Sequence, residues 1–189
     1  MPYDYTTQNL HTGRRILLDR DTVSFPNGSI GTLEVVRHPG AAAVIPFLDP
    51  PETSDPRILL LRQFRHAAGG PLWEIPAGTL HGKEDPIHCA RRELEEEAGA
   101  TAGRLDHLTT IFTTPGFTDE RIHLFLAADL TRVPSRLEAD EFIDVHEVRW
   151  SKVLELLREG GLIDAKSIVA LLYVQSFHRS VPGGTTSAA

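Results

Sequence analysis

The amino-acid sequence predicts a layered α/β domain with a mixed β-sheet. Strand-like apolar runs occur in series, and helical patterns stand between and after them, which is the arrangement of layered α/β and α+β domains. The chain has 189 residues, a length that fits one domain more readily than two. An Asn27-Gly28 pair between two apolar segments also predicts an antiparallel hairpin near the start, because both residues tolerate positive φ.

The predicted hairpin follows a polar stretch over residues 1–14 that shows no clear period. Strand-like segments flank the turn at 15–18, 22–25 and 32–36. A hairpin of this size cannot bury enough apolar surface by itself, so it must pack on the rest of the chain or on a partner subunit. The expected regions are an N-terminal β-hairpin region over 1–38, a main domain over 39–180 and a mobile tail over 181–189.

Further strands and three helices are expected in the main domain. Apolar or alternating runs predict strands at residues 41–48, 58–64, 105–112, 121–127 and 142–150. The first helix should begin at Pro86, which suits a first helical turn, and end at Gly99, with one apolar stripe between them. Two more helices are predicted after Ser151 and Asp164, since both residue types cap helix N-termini.

Composition and charge exclude several classes of protein. The chain has 19 basic and 26 acidic residues and a net charge of −7, which argues against a general nucleic-acid-binding surface. Cys89 is the only cysteine, so neither a disulfide framework nor a cysteine-built zinc site can form. No apolar run approaches the roughly 20 residues of a membrane helix, and the start lacks the apolar stretch of a secretory signal. These features predict a cytoplasmic domain that binds neither nucleic acid nor membrane.

Three glutamates stand together on the helix predicted between Pro86 and Gly99. Glu93, Glu96 and Glu97 have the spacing i, i+3 and i+4, which puts their carboxylates on one helical face. Like charges so close repel one another unless solvent or cations compensate them. Hard divalent ions such as Mg²⁺ take oxygen ligands of this kind. The alternative is a solvated acidic surface, since charge runs often have no other role.

The residues around these glutamates form a longer pattern. In sequence order it contains Gly78, Glu84, Arg92, Glu93, Leu94, Glu96, Glu97, Gly99 and Ala100. These positions resemble the Nudix box, G-x5-E-x7-R-E-U-x-E-E-x-G-U, in which U is an aliphatic residue, and every fixed position matches. The resemblance implies an α/β/α sandwich with a mixed sheet and an extra N-terminal antiparallel hairpin. It also implies hydrolysis of a nucleoside diphosphate linked to another moiety, with Mg²⁺ as the metal and Mn²⁺ as a substitute.

The same resemblance assigns roles to residues in and beside the box. Glu93 and Glu97 are expected to be the main metal ligands, with Glu96 close by. The backbone carbonyl of Ala77 is expected to supply another oxygen. Arg92 is expected to orient the glutamates rather than to contact substrate, and it is counted with Glu96 among the catalytic candidates.

Two features of the segments that flank the box indicate a subfamily. Residues 73–78 read WEIPAG, and Pro115 lies 15 positions after Ala100, the end of the box. Both features resemble the ADP-ribose pyrophosphatase subfamily, which implies hydrolysis of ADP-ribose to AMP and ribose 5-phosphate. In similar enzymes the N-terminal hairpin exchanges across a homodimer, so a homodimer is expected here. The expected substrate-binding residues are Arg62, Arg65, Glu74, Pro115, Gly116 and Phe117.

Some of these residues have a second interpretation. Arg65 would fit phosphate oxygens bidentately, but a surface ion pair at the end of a strand is the alternative. Glu74 is expected either to contact substrate or to support the metal-binding loop. Phe117 could stack on adenine or simply pack within its loop.

The general base is expected on an acidic residue outside the box. The resemblance places it before the strand that ends at Trp150, where Glu141 is the best match. Glu138, Asp140 and Glu120 are the alternatives, and a solvated acidic turn is the other interpretation of this segment. Position matters more than intrinsic pKa for this residue, because bound metal ions do most of the activation of water.

Two other functions stay open on the sequence alone. The box holds a diphosphate and not a base or sugar, so GDP-mannose or UDP-glucose could replace ADP-ribose as the substrate. A non-catalytic Nudix ligand sensor is the alternative of another class. Such sensors usually carry a DNA-binding domain and tend to lose box glutamates, whereas this sequence shows no spare helix-turn-helix and keeps every box glutamate.

Overall fold

The computed structural model describes residues 4–14, 16–137 and 142–179. The acidic candidates Glu138, Asp140 and Glu141 and the predicted tail lie outside the described residues. The strands are β1 Tyr5–Thr12, β2 Leu17–Ser24, β3 Ile30–Arg37, β4 Ala41–Pro46, β5 Arg57–Arg65, β6 Gly70–Glu74, β7 Ala77–Thr79, β8 Ala100–Phe112, β9 Arg121–Arg132 and β10 Ile143–Arg149. The helices are α1 Pro86–Ala98, α2 Trp150–Arg158 and α3 Ala165–Phe177, with a 3₁₀ turn at His66–Ala68.

The described strands form three sheets. Strands β1, β2 and β3 make an antiparallel N-terminal sheet in that order. The order β7-β4-β9-β8 gives a mixed sheet, in which β4 and β9 run parallel and the other pairs antiparallel. The order β10-β5-β6 gives an antiparallel sheet beside it, joined to the end of β4 through a bridge between Phe47 and Ile58. The mixed sheet of the prediction is confirmed.

Two apolar layers lie on opposite sides of the mixed sheet. Strand β4 is buried along its whole length, and its side chains alternate between the two layers. Ala43 and Ile45 face the layer that holds α2 and α3, whereas Ala42 and Val44 face α1. A strand is apolar on both faces when helices cover both faces of its sheet. The predicted α/β/α sandwich is therefore confirmed.

The predicted N-terminal antiparallel hairpin is confirmed as β2 and β3, and a third strand that the sequence analysis did not predict extends it to a sheet. The polar segment 1–14 contains β1, which pairs antiparallel with β2. Every residue of β1 is exposed, so the strand lacks the apolar alternation by which a strand is recognised in a sequence. The predicted turn is confirmed. Gly28 has a φ of +80°, and the Asn27 side chain accepts hydrogen bonds from the Ser29 amide and hydroxyl.

Helix α1 begins and ends where the sequence predicts. Pro86 occupies the first turn, and the Asp85 side chain accepts a hydrogen bond from the Ile87 amide at 3.1 Å. Gly99 ends the helix in the left-handed region, with a φ of +59°. The apolar stripe packs on the sheet through Cys89, Ala90, Leu94 and Ala98. This packing sets the rotation of the helix about its axis, and with it the direction of the glutamates.

Helices α2 and α3 cover the other face of the sheet. The predicted strand over 142–150 ends one residue early, because Trp150 opens α2 and stacks on Phe47 with ring centroids 5.4 Å apart. Asp164 caps α3 as predicted, through a hydrogen bond from the Ser167 amide at 3.0 Å. None of the described helices is long and apolar enough to cross a membrane.

Candidate active site

Two of the three clustered glutamates on α1 are buried against β7. Glu97 is 3% exposed and Glu93 is 7% exposed. The Ala77 amide donates a hydrogen bond to Glu97 Oε2 at 2.9 Å. The Glu93 carboxylate lies so close to Gly78 that a Cβ added there would be 1.8 Å from Glu93 Oε1. Because buried carboxylates are stable only with hydrogen bonds or cations nearby, this part of α1 favours positive charge.

Arg92 connects α1 to the loop that precedes it. Its Nε and Nη2 donate to the two carboxylate oxygens of Glu84, both at 3.2 Å. Nη1 donates to Glu93 and Glu96, and Nη2 also donates to the Thr79 carbonyl. The hydrogen bonds from Arg92 hold the pKa of Glu84 below its ordinary value. This geometry supports the predicted role of Arg92, which is to orient the glutamates.

The donor set on α1 fits a hard divalent cation. Glu93, Glu96 and Glu97 offer carboxylate oxygens from one helical face, and Mg²⁺ prefers such ligands. Within residues 4–14, 16–137 and 142–179, however, no three metal-binding side chains stand in the arrangement of a complete metal site. The side-chain directions account for this, since Glu93 contacts Arg92 and Glu97 contacts the Ala77 amide. In this conformation the Arg92 guanidinium and the Ala77 amide contact the carboxylates of Glu93 and Glu97, whose negative charge a bound cation would otherwise compensate.

A second charged cluster lies at the end of β5. Arg65 Nε and Nη2 donate to the two oxygens of Glu74 at 2.8 and 2.9 Å, a bidentate pair. Lys166 of α3 donates to the same carboxylate, and Glu74 is only 2% exposed. Burial acts to raise the pKa of Glu74, but the Arg65 and Lys166 contacts outweigh it and hold the pKa below its ordinary value. Glu74 is thus the counterion of two cations.

The structure separates two arginines that the sequence analysis grouped together. Side chains alternate along a strand, so Arg62 and Arg65 lie on opposite faces of β5. The pKa of the Arg65 guanidinium is raised, first by the hydrogen bonds to Glu74 and also by the charge of Glu97. Arg62 instead lies over the Trp73 ring, 5.2 Å from its centroid. The charge of Arg65 therefore interacts with Glu97 on α1, whereas Arg62 contacts the Trp73 ring.

Helix α3 contributes residues that the sequence analysis did not identify. Asp164 Oδ2 accepts hydrogen bonds from Lys166 Nζ at 3.0 Å and from the Ser167 hydroxyl at 2.5 Å. The Ile75 amide donates to Ser167 Oγ at 2.9 Å, which ties α3 to the segment just before Ala77. The available sequence signal is weak, because a lysine and a serine in the first turn of a helix are common on protein surfaces.

The loop after β8 holds the remaining predicted substrate residues. Its exposed turn consists of Pro115, Gly116 and Phe117. Glu120 Oε2 accepts a hydrogen bond from the Thr113 hydroxyl at 2.9 Å, and its other carboxylate oxygen lies 3.5 Å from His38 Nδ1. Glu120 therefore links the two ends of the loop through Thr113, and it lies beside His38, which follows the N-terminal sheet.

An open cleft of about 300 Å³ lies beside this loop. Its lining residues are His38, Pro39, Gly40, Leu80, Asp119, Arg121 and His123. Burial, followed by the charges of His107 and Arg121, lowers the pKa of His123. Because Leu80 lies within the box and Asp119 within the loop after β8, the two segments border one cleft.

Cys89 lies on the buried face of α1. Its sulfur is 3.4 Å from the Gly78 carbonyl oxygen. Burial raises the pKa of the thiol to about 12, so almost no thiolate forms near neutral pH. Cys89 is therefore a packing residue and not a nucleophile.

The predicted general base, Glu141, lies outside the described residues, but the chain on either side of its segment is described. The Arg136 amide donates to the Glu96 carbonyl at 2.9 Å. On the other side, the Phe64 amide donates to the Phe142 carbonyl at 3.4 Å. These described neighbours lie at the C-terminal half of α1 and at the end of β5, beside the two charged clusters.

Comparison with known proteins identifies the family. A family model of the NUDIX domain matches residues 37–172, well over half of the chain. The chain belongs to the Nudix family. The family inferred from the box between Gly78 and Ala100 is therefore confirmed, and the matched range contains both charged clusters of this Nudix protein.

Two relatives and one solved structure are similar to this Nudix protein over most of its length. An ADP-ribose pyrophosphatase of Bacillus subtilis (strain 168) is 39% identical over 170 residues, which cover 89% of each chain. A methanol dehydrogenase activator of Bacillus methanolicus is 38% identical over 171 residues, which cover 89% of this chain and 90% of the relative. A solved structure of an ADP compounds hydrolase superposes with a TM-score of 0.75 at 22% identity and covers 94% of each chain. The solved structure supports the fold, and the first relative agrees with the subfamily inferred from WEIPAG and Pro115.

Proposed function

We propose that this Nudix protein is a Mg²⁺-dependent pyrophosphatase that hydrolyses ADP-ribose to AMP and ribose 5-phosphate. The observation that carries the proposal is the pair of buried carboxylates, Glu93 and Glu97, on one face of α1, with the charge of Arg65 acting on Glu97. A divalent cation bound there would balance the negative charges of the two carboxylates and of a bound diphosphate. The 39% identity to an ADP-ribose pyrophosphatase and the position of Pro115 support ADP-ribose as the substrate.

The proposed metal ligands are carboxylates of Glu93 and Glu97, with Glu96 nearby and the Ala77 carbonyl as a further oxygen. When bound there, Mg²⁺, or Mn²⁺ in its place, neutralises the diphosphate and lowers the pKa of the attacking water. Gly78 makes room for the Glu93 carboxylate because it lacks a Cβ. The buried position of Glu93 and Glu97 keeps their oxygens away from bulk water, which strengthens their interaction with a cation.

Arg65 is the proposed ligand of the diphosphate. Its Nε and Nη2 are bonded to Glu74, and Nη1 makes no hydrogen bond to the residues that the structure describes. The pair with Glu74 thus holds the guanidinium plane in place and leaves one nitrogen for a phosphate oxygen. Glu74 is proposed to position Arg65 and not to contact substrate, because both of its oxygens already accept hydrogen bonds.

Glu141 is the proposed general base, which takes the proton of the attacking water. The anchoring of Arg136 at Glu96 and of Phe142 at Phe64 supports this, since these neighbours lie beside the two charged clusters. Glu120, Glu138 and Asp140 are the alternative bases. The proposed substrate contacts outside the clusters are Pro115, Gly116 and Phe117, and the exposed Phe117 ring is available to stack on adenine.

A homodimer formed through the N-terminal sheet is part of the proposal. The sheet exposes large apolar side chains, namely Tyr5, Ile30 and Leu33. Strand β1 is exposed along its whole length, and a second copy of the chain would cover this surface. The net charge of −7 supports a function without nucleic acid, and the single buried thiol is compatible with a cytoplasmic location.

The test is a phosphate-release assay coupled to a phosphatase, with ADP-ribose, GDP-mannose, UDP-glucose, NADH and Ap4A, each with and without Mg²⁺. ADP-ribose should lead the other compounds by about tenfold or more in kcat/KM, and only when metal is present. The matched control is Glu97→Gln in the same assay, which separates turnover by this site from turnover by a contaminant.

The other outcomes point to the two alternatives. A lead by GDP-mannose or UDP-glucose would keep the Nudix reaction and replace the substrate. No turnover of any compound, with Mn²⁺ as well as Mg²⁺, would contradict the enzymatic proposal and favour a ligand sensor.

A further inference from the structure

The N-terminal sheet is joined to the loop after β8 by hydrogen bonds. The segment that we name the 114–119 loop meets the sheet at Val36, the second-last residue of β3. The Val36 amide donates to the Phe117 carbonyl at 2.8 Å, and the Asp119 amide donates to the Val36 carbonyl at 3.3 Å. The Thr118 hydroxyl donates to the same Val36 carbonyl at 2.9 Å. The loop and β3 therefore pair over a short distance as parallel strands do.

A charge cluster centred on Arg37 reinforces this connection. Nε donates to Asp19 at 3.1 Å, and Nη2 donates to Asp21 at 2.5 Å, both on β2. Nη1 donates to Asp119 of the 114–119 loop at 3.4 Å. The other oxygen of Asp119 accepts a hydrogen bond from the His38 amide at 2.8 Å. A single guanidinium thus ties two strands of the N-terminal sheet to the loop.

Strand β1 completes the surroundings of the two aspartates on β2. The Thr7 hydroxyl donates to Asp21 at 2.7 Å, and the Asn9 side chain donates to Asp19 at 3.1 Å. Asp19 and Asp21 are each only 7% exposed, so Arg37 compensates charges that water reaches poorly. The contact between Arg37 and the loop therefore depends on all three strands of the sheet.

The shape of the cluster suits arginine and no other cation. Three carboxylates, from Asp19, Asp21 and Asp119, each bind a different nitrogen of Arg37. A planar guanidinium presents its N–H groups in fixed directions, whereas a lysine ammonium is a single point charge. Lysine at position 37 would keep the charge and lose part of the connection between the sheet and the loop.

We propose that Arg37 and Asp119 are positioning residues, which hold the 114–119 loop against the N-terminal sheet, and that selection among nucleoside diphosphate sugars depends on this connection. The inference rests on the proposed function, because Pro115 and Phe117 are proposed substrate contacts. Asp119 also lines the open cleft that Leu80 borders from the box, so a displaced loop changes the shape of that cleft.

The expected signature is a change in substrate binding with little change in the chemical step. The proposed metal ligands are on α1 and beside β7, whereas the hydrogen bonds of the Arg37 cluster join β1, β2, the His38 amide and the 114–119 loop. Loss of the connection should therefore raise KM and leave kcat nearly unchanged. A general loss of folding would lower kcat and the amount of active protein together.

The first variant is Asp119→Asn, which keeps a carbonyl oxygen for the His38 amide and removes the charge that faces Arg37. We expect KM for ADP-ribose to rise by about tenfold and the kcat/KM ratio of ADP-ribose over GDP-mannose to fall by about fivefold or more. Arg37→Lys should change both quantities in the same direction. The matched control is Arg20→Met, because Arg20 pairs with Glu34 at 2.8 Å on the same sheet and does not contact the loop.

Hydrogen–deuterium exchange supplies a readout that needs no substrate. The amides of Val36 and Asp119 connect the sheet and the loop, so both should exchange about tenfold faster in Asp119→Asn and at the wild-type rate in Arg20→Met. Unchanged exchange in both Asp119→Asn and Arg37→Lys would overturn the positioning role. Faster exchange with an unchanged substrate ratio would overturn the link to selection.

These measurements also separate this inference from the proposed function. If the wild-type protein hydrolysed neither ADP-ribose nor GDP-mannose, the proposed function would fail and the link to selection would fail with it. The exchange rates of the Val36 and Asp119 amides would still decide whether Arg37 positions the loop.

Discussion

Replacing Gly78 with alanine tests whether the observed position of the Glu93 carboxylate is the working one. Gly78 does not have the positive φ that disfavours other residues, so alanine suits its backbone. The added Cβ would, however, lie 1.8 Å from Glu93 Oε1, 2.1 Å from Cδ and 2.7 Å from Oε2. The added Cβ would therefore clash with the Glu93 carboxylate and not with the backbone.

The size of the effect follows from these distances. An ordinary contact begins near 3.4 Å, so the Glu93 carboxylate must move by about 1.6 Å. Because it is the end of a flexible side chain, we expect the free energy of unfolding to fall by only about 1 to 3 kcal/mol, or a Tm decrease of about 2 to 10 °C. Misplacement by about 1 Å costs about 10²-fold in rate, equivalent to about 2.7 kcal/mol of activation free energy. Gly78→Ala should thus fold and lose about 10²-fold or more in kcat/KM.

The assay is AMP release from ADP-ribose with Mg²⁺, followed by chromatography, with Tm measured by circular dichroism. Gly70→Ala is the matched control, because an added Cβ there meets nothing within 4 Å. Its activity should stay within about twofold of the wild type. Titration with Mn²⁺, followed by electron paramagnetic resonance, should show weaker binding in Gly78→Ala than in Gly70→Ala. Wild-type turnover and metal affinity in Gly78→Ala would refute the reasoning.

Four further predictions concern single residues. Glu97→Gln should lose about 10²-fold or more in kcat with an unchanged circular dichroism spectrum, and wild-type rates would contradict its role as a metal ligand. Glu141→Gln should lower kcat by about 10²-fold or more, whereas a loss below about tenfold would move the role of base to Glu120 or another acidic residue. Because burial raises the pKa of Cys89 to about 12, iodoacetamide at pH 8 should label the native chain about 10³-fold more slowly than the unfolded chain. Despite its burial, Glu74 has a pKa held below 4.5 by its two cation partners, so its ion pairs stabilise the fold above pH 4.5 and are lost as the pH falls through the lowered pKa. In urea unfolding measured from pH 7 to pH 3, the stability difference between wild type and Glu74→Gln should therefore shrink at the acid end.

For helix α1, the spacing of residues along the chain was sufficient to predict both its ends and the face that carries the glutamates. The positions of Pro86 and Gly99 predict both ends of α1, and these predictions are confirmed. The period of an α-helix is fixed at 3.6 residues, so the same spacing places Glu93, Glu96 and Glu97 on one face without knowledge of the fold. The placement of the three carboxylates on one helical face could therefore be inferred from the sequence.

Strand β1 and the partners of the two arginines of β5 could not be predicted from the spacing of residues. Strand β1 is exposed on every residue, so no apolar alternation marks it as a strand. Arg62 and Arg65 stand three positions apart in one strand and lie on opposite faces, and only the observed strand register tells which of them meets Glu74.

Local spacing in the chain was sufficient to place the row of glutamates and to recognise the resemblance to the Nudix family, because both depend on residues that are near neighbours in sequence. The sandwich was an implication of that resemblance. The ion-pair partners of several charged residues could be identified only from the tertiary structure. Lys166 meets Glu74 across 92 positions, and Arg37 meets Asp119 across 82. Contacts over such separations depend on how sheets and helices pack, and the period of one segment carries no information about them. The physical reason is that helix and strand geometry is repeated locally, whereas the pairing of charges depends on the tertiary structure that brings them together.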